Sequence, residues 1–452
     1  MVNPGQRLQA KYRSYSAKHA SMSINALSMS APSTPLVHSA LMQSVGATLF
    51  GLALLHSFCA KQFERLAQRH PRHAGLLHLL GEVEVVFGFW AFVLIAAMAL
   101  LTGSQQAIAY AESLQYTEPL FVFVVMVVAA SKPVLSIVQS LLLALARAAP
   151  LPTPLVQAWL GLAVVPLLGS LITEPAAMTL AALMLSSQIF KPGIPERLKY
   201  GARGVLFVNI SIGGTLTSYA APPVLMVAGA WGWDTAFMAH SFGWKAALAV
   251  LVNASGIAFL LRTHLQAPAQ ATDDKPVPLT VSLIHLLVLG GVVSMAHHPV
   301  LFLGLFLFFL GYTQAYARYQ SPLILKEALL VGFFLAGLVV LGGLQQWWLQ
   351  PIVSSLAPTA LFFGAVGLTA MTDNAALTYL GSLIEGISSS SQYMLVAGAV
   401  TGGGLTVIAN APNPAGVALL KNGFEDASIG AGGLLLGALL PTCVAAIFFL
   451  LL

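Results

Sequence analysis

The sequence predicts an all-α polytopic membrane protein of about ten transmembrane helices plus two re-entrant hairpins, arranged as an inverted repeat. Three observations carry that prediction. Of 452 residues, 58% are apolar or aromatic and only 8% are charged, with a mean hydropathy of +0.84; a soluble domain carries about 25% charged residues. The apolar residues fall into runs of bilayer-spanning length. One pair of polar motifs recurs, in the same order, in the two halves of the chain.

Residues 1–35 are Ser-rich and contain Arg7, Lys11, Arg13 and Lys18 but no acid, the composition of a disordered basic tail. Apolar segments near 36–60, 78–103, 118–145, 204–230, 242–262, 278–296, 299–317, 325–347, 392–420 and 431–452 each read as a crossing. Two further apolar stretches, about 151–190 and 352–388, are interrupted by Thr173-Glu174-Pro175 and by Thr372-Asp373-Asn374. Short apolar arms around a polar, helix-breaking tip suit a re-entrant hairpin, because irregular backbone at membrane depth must be surrounded by protein or by a water-filled cavity.

Loop charges agree with this layout. Lys61, Arg65, Arg69 and Arg72 share one side with Arg147, the basic stretch from Lys191 to Arg203, Arg262, Arg318, Lys326 and Lys421. That side is cytoplasmic by the positive-inside rule. The opposite connections, 104–117, 231–241, 297–298, 348–352 and 389–391, hold no Lys or Arg. The net charge of +5 therefore orients helices in a lipid bilayer and does not point to nucleic acid. Trp231, Trp233, Trp347 and Trp348 read as interfacial anchors on the outer side.

Thr173-Glu174-Pro175-Ala176-Ala177-Met178-Thr179 matches Thr372-Asp373-Asn374-Ala375-Ala376-Leu377-Thr378. Downstream, Gly213-Gly214-Thr215-Leu216-Thr217 matches Gly402-Gly403-Gly404-Leu405-Thr406, and each continues into Ala-Pro, at Ala221-Pro222 and Ala411-Pro412. The Glu174 to Gly213 spacing is ten residues longer than that from Asp373 to Gly402, an excess that the basic, Pro-containing connection 191–203 accounts for. About five crossings and one hairpin per half is an odd count, so the second half enters the membrane from the opposite side. The chain then divides into a tail (1–35), a first repeat (36–262, hairpin about 151–190, broken helix about 204–230), a cytoplasmic linker (263–277) and a second, inverted repeat (278–452, hairpin about 352–388, broken helix about 392–420). Gly frees the backbone and Pro removes a donor, so the two Gly/Pro stretches read as helix breaks whose carbonyls and half-helix ends can ligate an ion.

Ionisable residues inside a membrane are functional candidates by default, which singles out Glu174 and Asp373. Thr173, Thr372 and Asn374 offer oxygens beside them; Thr217, Thr406, Asn410 and Asn413 offer oxygens from the breaks. For each of these, helix capping or turn formation is the competing role. Lys132, followed by Pro133, is either a counter-ion to a transport carboxylate or part of a kink whose lysine snorkels to the interface. Asn209 and Ser211 precede the first Gly-Gly and suit helix-to-helix bonding. Cys59 and Cys443 lie in apolar stretches, which supports neither a disulfide framework nor a thiolate metal site. With no phosphate loop, zinc-helix motif or nucleophile elbow, an enzyme or ATP-driven pump is disfavoured and no cofactor is expected.

On Thr372-Asp373-Asn374-Ala375-Ala376-Leu377, Gly403-Gly404-Leu405-Thr406 and Ala411-Pro412-Asn413, with their first-half counterparts, residues 78–452 resemble the ion transporter superfamily. That group includes NhaD-type antiporters, arsenite pumps and citrate/dicarboxylate transporters; the branch named for Na+/H+ antiporters is the most similar. The resemblance implies a homodimer and, for a bacterial chain, the cytoplasmic membrane. Dicarboxylate members carry neutral Ser-Asn-Thr tips, whereas this chain has Glu174 and Asp373 there. Anionic tips repel a di-anion and attract a cation.

The expected function is a proton-driven Na+ (or other monovalent cation) antiporter. The alternatives are a Na+-coupled symporter of an organic or inorganic anion, or a channel. Desolvation favours the protonated carboxyl and a bound cation favours the ionised form, so proton and cation exclude one another. The expected ion site is Asp373 with Asn374 and Thr406, and Glu174 as partner.

Overall fold

A computed structural model describes residues 39–265, 277–424 and 430–452. The expected tail and most of the 263–277 linker lie outside the described residues.

Every described element is helical. Up to the first hairpin these are α1 (Ala40–Arg69), α2 (Ala74–Gly81), α3 (Val83–Thr102), α4 (Ser104–Ser113), α5 (Thr117–Ala129) and α6 (Lys132–Ala148). The first hairpin and its broken span comprise α7 (Thr153–Leu162), α8 (Val164–Ile172), α9 (Glu174–Ser186), α10 (Glu196–Gly213) and α11 (Pro222–Trp231), followed by α12 (Thr235–Met238) and α13 (Trp244–Leu261). The second half contains α14 (Leu279–Ser294), α15 (Pro299–Ala315), α16 (Leu325–Gly342), α17 (Gln346–Ser355), α18 (Pro358–Met371), α19 (Asn374–Ser382), α20 (Ser389–Gly402), α21 (Asn413–Leu420) and α22 (Ala431–Leu451). Among the described residues, five helices are long and apolar enough to cross a membrane, or up to seven if each bent pair is one span. The chain is an integral, polytopic membrane protein.

Four local features depart from the sequence-based layout. The segment near 118–145 is not one helix with a kink, because α5 ends at Ala129 and Lys132-Pro133 opens α6 as a new helix after buried Ser131. The connections expected at 104–117 and 348–352 contain helices, α4 and α17, and α4 meets α5 at a bend of 59°. Lys199 and Arg203 are not loop charges. Both are buried in α10, where Lys199 donates to Gly423 O (2.6 Å) and Glu196 Oε1 (2.9 Å) and the Arg203 guanidinium lies among the rings of Tyr200, Phe207 and Phe424. Trp233 is also buried, against Trp231, Phe237 and Phe242, so its ring packs inside the protein and not in the lipid interface.

Small residues set how the helices meet, as expected where lipid is as apolar as the side chains and close backbone approach supplies the packing energy. Gly204 of α10 lies against the backbone of Gly437 in α22, where an added Cβ would stand 2.2 Å from Gly437 O. Gly337 of α16 lies against Phe87 and Gly88 of α3 in the same way. Around the breaks the packing is reciprocal: α11 lies on α19, and α21 lies on α9. Each distal half-helix is therefore seated on the hairpin arm of the other half of the sequence.

Gly437→Val drives a branched side chain into the α10 backbone. Overpacking of this kind costs about 1–3 kcal/mol, so the variant should melt lower in detergent than the native protein. An unchanged melting temperature would contradict the glycine-to-glycine contact.

Candidate functional site

The first hairpin turns on one residue. Thr173 separates α8 from α9, and the arms fold back so tightly that a Cβ on Gly169 would lie 3.3 Å from Ala177 Cβ. Glu174 is the first residue of α9 and its side chain is fully buried. Its Oε2 accepts a hydrogen bond of 2.8 Å from Asn410 Nδ2, in the break of the other half. Its Oε1 has no partner and faces Gly214, where an added Cβ would stand 2.6 Å away. The uncapped N-terminus of α9 puts a positive dipole end beside this carboxylate.

The second tip is arranged differently. Asp373 is half-buried and caps α19, its Oδ1 accepting from Ala375 N (2.8 Å) and Ala376 N (3.2 Å). Asn374 is the side chain that enters the interior. Its backbone N–H donates to Ala409 O (3.1 Å) and its Nδ2 to Ser211 Oγ (3.4 Å), leaving Oδ1 buried without a partner. Thr372 donates its hydroxyl to Leu368 O in its own arm.

The glycine motifs seat the broken helices on the hairpins. An added Cβ on Gly213 would lie 2.6 Å from Pro166 O in α8, and one on Gly402 would lie 2.6 Å from Val366 O in α18. Side chains then fasten each break. Thr217 Oγ1 donates to Ser170 O (2.7 Å), Ser170 Oγ donates to Gly213 O (2.7 Å), and Thr406 Oγ1 donates to Ala370 O (2.9 Å). Asn413 Nδ2 donates to both Gly403 O (2.8 Å) and Thr406 O (2.9 Å).

Two asparagine orientations follow from these partners. Carbonyl and carboxylate oxygens only accept, so the nitrogens of Asn410 and Asn413 must face them and the amide oxygens must face away. Those oxygens, Asn410 Oδ1 and Asn413 Oδ1, are buried and unpaired, as are Asn374 Oδ1, Glu174 Oε1 and Thr173 Oγ1. Contacts tie four of these residues together, with Thr173 adjoining Glu174 in the chain: Glu174 to Asn410, Asn410 O to Asn413 N (3.0 Å), Asn413 to Gly403, and Asn374 to Ala409, next to Asn410. Leaving a buried acceptor unmatched costs about 1–3 kcal/mol. The carboxylate and amide oxygens of Glu174, Asn374, Asn410 and Asn413 are of the type that ligates a hard cation.

The structure thus gathers Thr173, Glu174, Asn374, Asn410 and Asn413, and places Asp373 beside Asn374, where it caps α19. Thr217, Thr372 and Thr406 spend their hydroxyls on backbone carbonyls. Lys132 stands half-buried at the start of α6. Ser211 also donates to Val400 O (2.7 Å), bridging the halves, whereas Asn209 bonds Leu162 O and Asn253 on the far side of α10. Ser170 went unread in the sequence. Its signal is the pair Ser170-Leu-Ile-Thr-Glu and Thr369-Ala-Met-Thr-Asp, a hydroxyl four residues before each acid.

Among solved structures, the crystal structure of the Alcanivorax borkumensis YdaH transporter, described as having an unusual topology, is similar with a TM-score of 0.43 and 14% identity, covering 81% of this chain and 96% of that one. No curated protein matches the sequence. Residues 41–452 match the protein-family model described as "Putative Na+/H+ antiporter". With nearly the whole chain inside that match, the protein belongs to this Na+/H+ antiporter family.

Proposed function

We propose that the protein is a proton-driven antiporter of Na+ or another small monovalent cation, in which Glu174 is the principal exchanging carboxylate. The observation that carries this reading is the cluster of buried, unpaired oxygens around a single engaged carboxylate. Glu174, Asn374, Asn410 and Asn413 form the cation cage. Asp373 supplies a second negative charge at its rim and fixes the N-terminus of α19 by capping it. The sequence ranks Asp373 first. The reading adopted here ranks Glu174 first, because Asp373 Oδ1 is committed to its own helix whereas Glu174 Oε1 is uncommitted and enclosed.

In this reading the chain is an inverted repeat of about ten crossings and two re-entrant hairpins, the distal half-helix of each break packed on the hairpin arm of the other half. The shared motifs and the reciprocal packing of α11 on α19 and α21 on α9 support it. When the cluster faces one side, a cation displaces the proton from Glu174; when it faces the other, a proton displaces the cation. Exchange is compulsory because the cage cannot hold a protonated Glu174 and a cation at full strength together. Sodium-coupled anion symport is the weaker reading, since a cage of unpaired oxygens repels an anionic substrate.

The test is flux in sealed vesicles under an imposed pH gradient, with Na+, Li+, K+ and citrate offered in turn. Glu174→Gln should abolish cation-dependent proton movement. Asn410→Ala, which removes a hydrogen bond to a charged group worth about 1.5–3 kcal/mol, should raise the apparent KM for the cation by about tenfold or more. Citrate uptake with Na+ and without proton exchange would replace this reading by the symporter.

Competition also fixes a pH dependence. On the acid side, where Glu174 is protonated in the empty protein, the apparent KM for Na+ should rise as pH falls, by up to about tenfold per unit for one competing proton. A KM for Na+ that is flat with pH while transport continues would contradict competition at a shared carboxylate.

A further inference from the structure

The two hairpin tips share a sequence pattern and differ in backbone. At the second tip Thr372 is extended, with φ −131° and ψ −169°, and the acid that follows caps its helix through Oδ1. At the first tip Thr173 has φ 74° and ψ 151°, and it is the one non-glycine residue with positive φ among the described residues. That region of conformational space is populated almost only by glycine, and a β-branched residue held there is strained.

The strained turn has a direct consequence for Glu174. It shifts the cap position back by one residue, so that Thr173 occupies the cap and Glu174 becomes the first helical residue. No side chain caps α9, in contrast to α19. The Glu174 carboxylate is thereby released from the N–H groups of its own helix and reaches Asn410 in the other half of the protein. Glutamate is also absent from the good capping residues, whereas aspartate is among the best. Two choices in succession, a left-handed Thr173 and Glu in place of Asp, free the same carboxylate.

We propose that Thr173 is a positioning residue for exchange, its left-handed backbone withdrawing Glu174 from helix capping and aiming the carboxylate at Asn410. This rests on the reading of Glu174 as the exchanging carboxylate. The rival role for Thr173 acts through its hydroxyl, which is buried and unpaired. The two roles separate by substitution, because glycine keeps the backbone and discards the hydroxyl, while proline forbids the backbone.

The experiment uses the full chain reconstituted in vesicles. It measures the KM for Na+ and, separately, how far Na+ protects Glu174 from a hydrophobic carbodiimide, read by mass spectrometry. Thr173→Gly and Thr173→Val should keep the KM within about twofold of native and keep the protection. Thr173→Pro, whose ring fixes φ near about −65°, should raise the KM by more than about tenfold and abolish the protection.

If Thr173→Pro does not fold, Thr173→Gly still decides. Relief of the strained φ should leave it melting at or above the native temperature with protection intact, and a lower melting temperature overturns the proposal. Loss of exchange in both Thr173→Gly and Thr173→Val, with Thr173→Ser active, overturns it in favour of the hydroxyl. Native protection that persists in a folded Thr173→Pro overturns positioning alone. Failure of Na+ to protect Glu174 in the native chain overturns the carboxylate reading and this one with it.

Discussion

The hydrogen bond from Asn410 to Glu174 is the contact on which the architecture depends. It joins the tip of the first hairpin to the break of the second half across 236 residues of sequence, at a place where neither side chain sees solvent. A fully buried carboxylate is tolerated only when its charge is matched, by hydrogen bonds, by a helix N-terminus or by a bound cation. Here one oxygen has the amide of Asn410, the start of α9 provides a dipole, and the other oxygen is left open. The reciprocal seating of α21 on α9 and of α11 on α19 holds this arrangement, because neither half encloses the cluster alone.

The same economy governs the asparagines. Each of Asn374, Asn410 and Asn413 turns its nitrogen to a protein oxygen and leaves its own oxygen unmatched. A stability-driven core would pair those atoms or replace them with apolar groups, since a partly satisfied buried network is costly. The hydroxyls of Ser170, Thr217 and Thr406 serve the opposite purpose, fastening the non-helical backbone of both breaks to the hairpin arms. Polar residues at the site thus divide into those that hold the frame and those that keep an oxygen unpaired.

Much of this was readable in the sequence, and the limits have physical reasons. The paired motifs announced both tips and both breaks, because a helix interruption inside the bilayer needs Gly, Pro and small polar residues in particular places. What composition could not convey is which oxygen goes where. Asp373 and Glu174 look interchangeable in a string of letters, yet one caps its helix and the other crosses to the opposite half, a difference set by the backbone at Thr173. The interior burial of Lys199 and Arg203 was likewise invisible, since a basic residue near a helix end ordinarily reads as a loop charge; rings from three different positions enclose Arg203 here. The break at Ala130–Ser131 also escaped, because the surrounding residues keep an unbroken apolar pattern.

The central claim is that one carboxylate, Glu174, exchanges a proton for a cation. It is tested most directly by adding Na+ to the purified protein in a weakly buffered detergent solution at acid pH and counting the protons released. The account predicts release of about one proton per Na+ bound in the native chain, and no release in Glu174→Gln. Equal release from the native chain and from Glu174→Gln would contradict it.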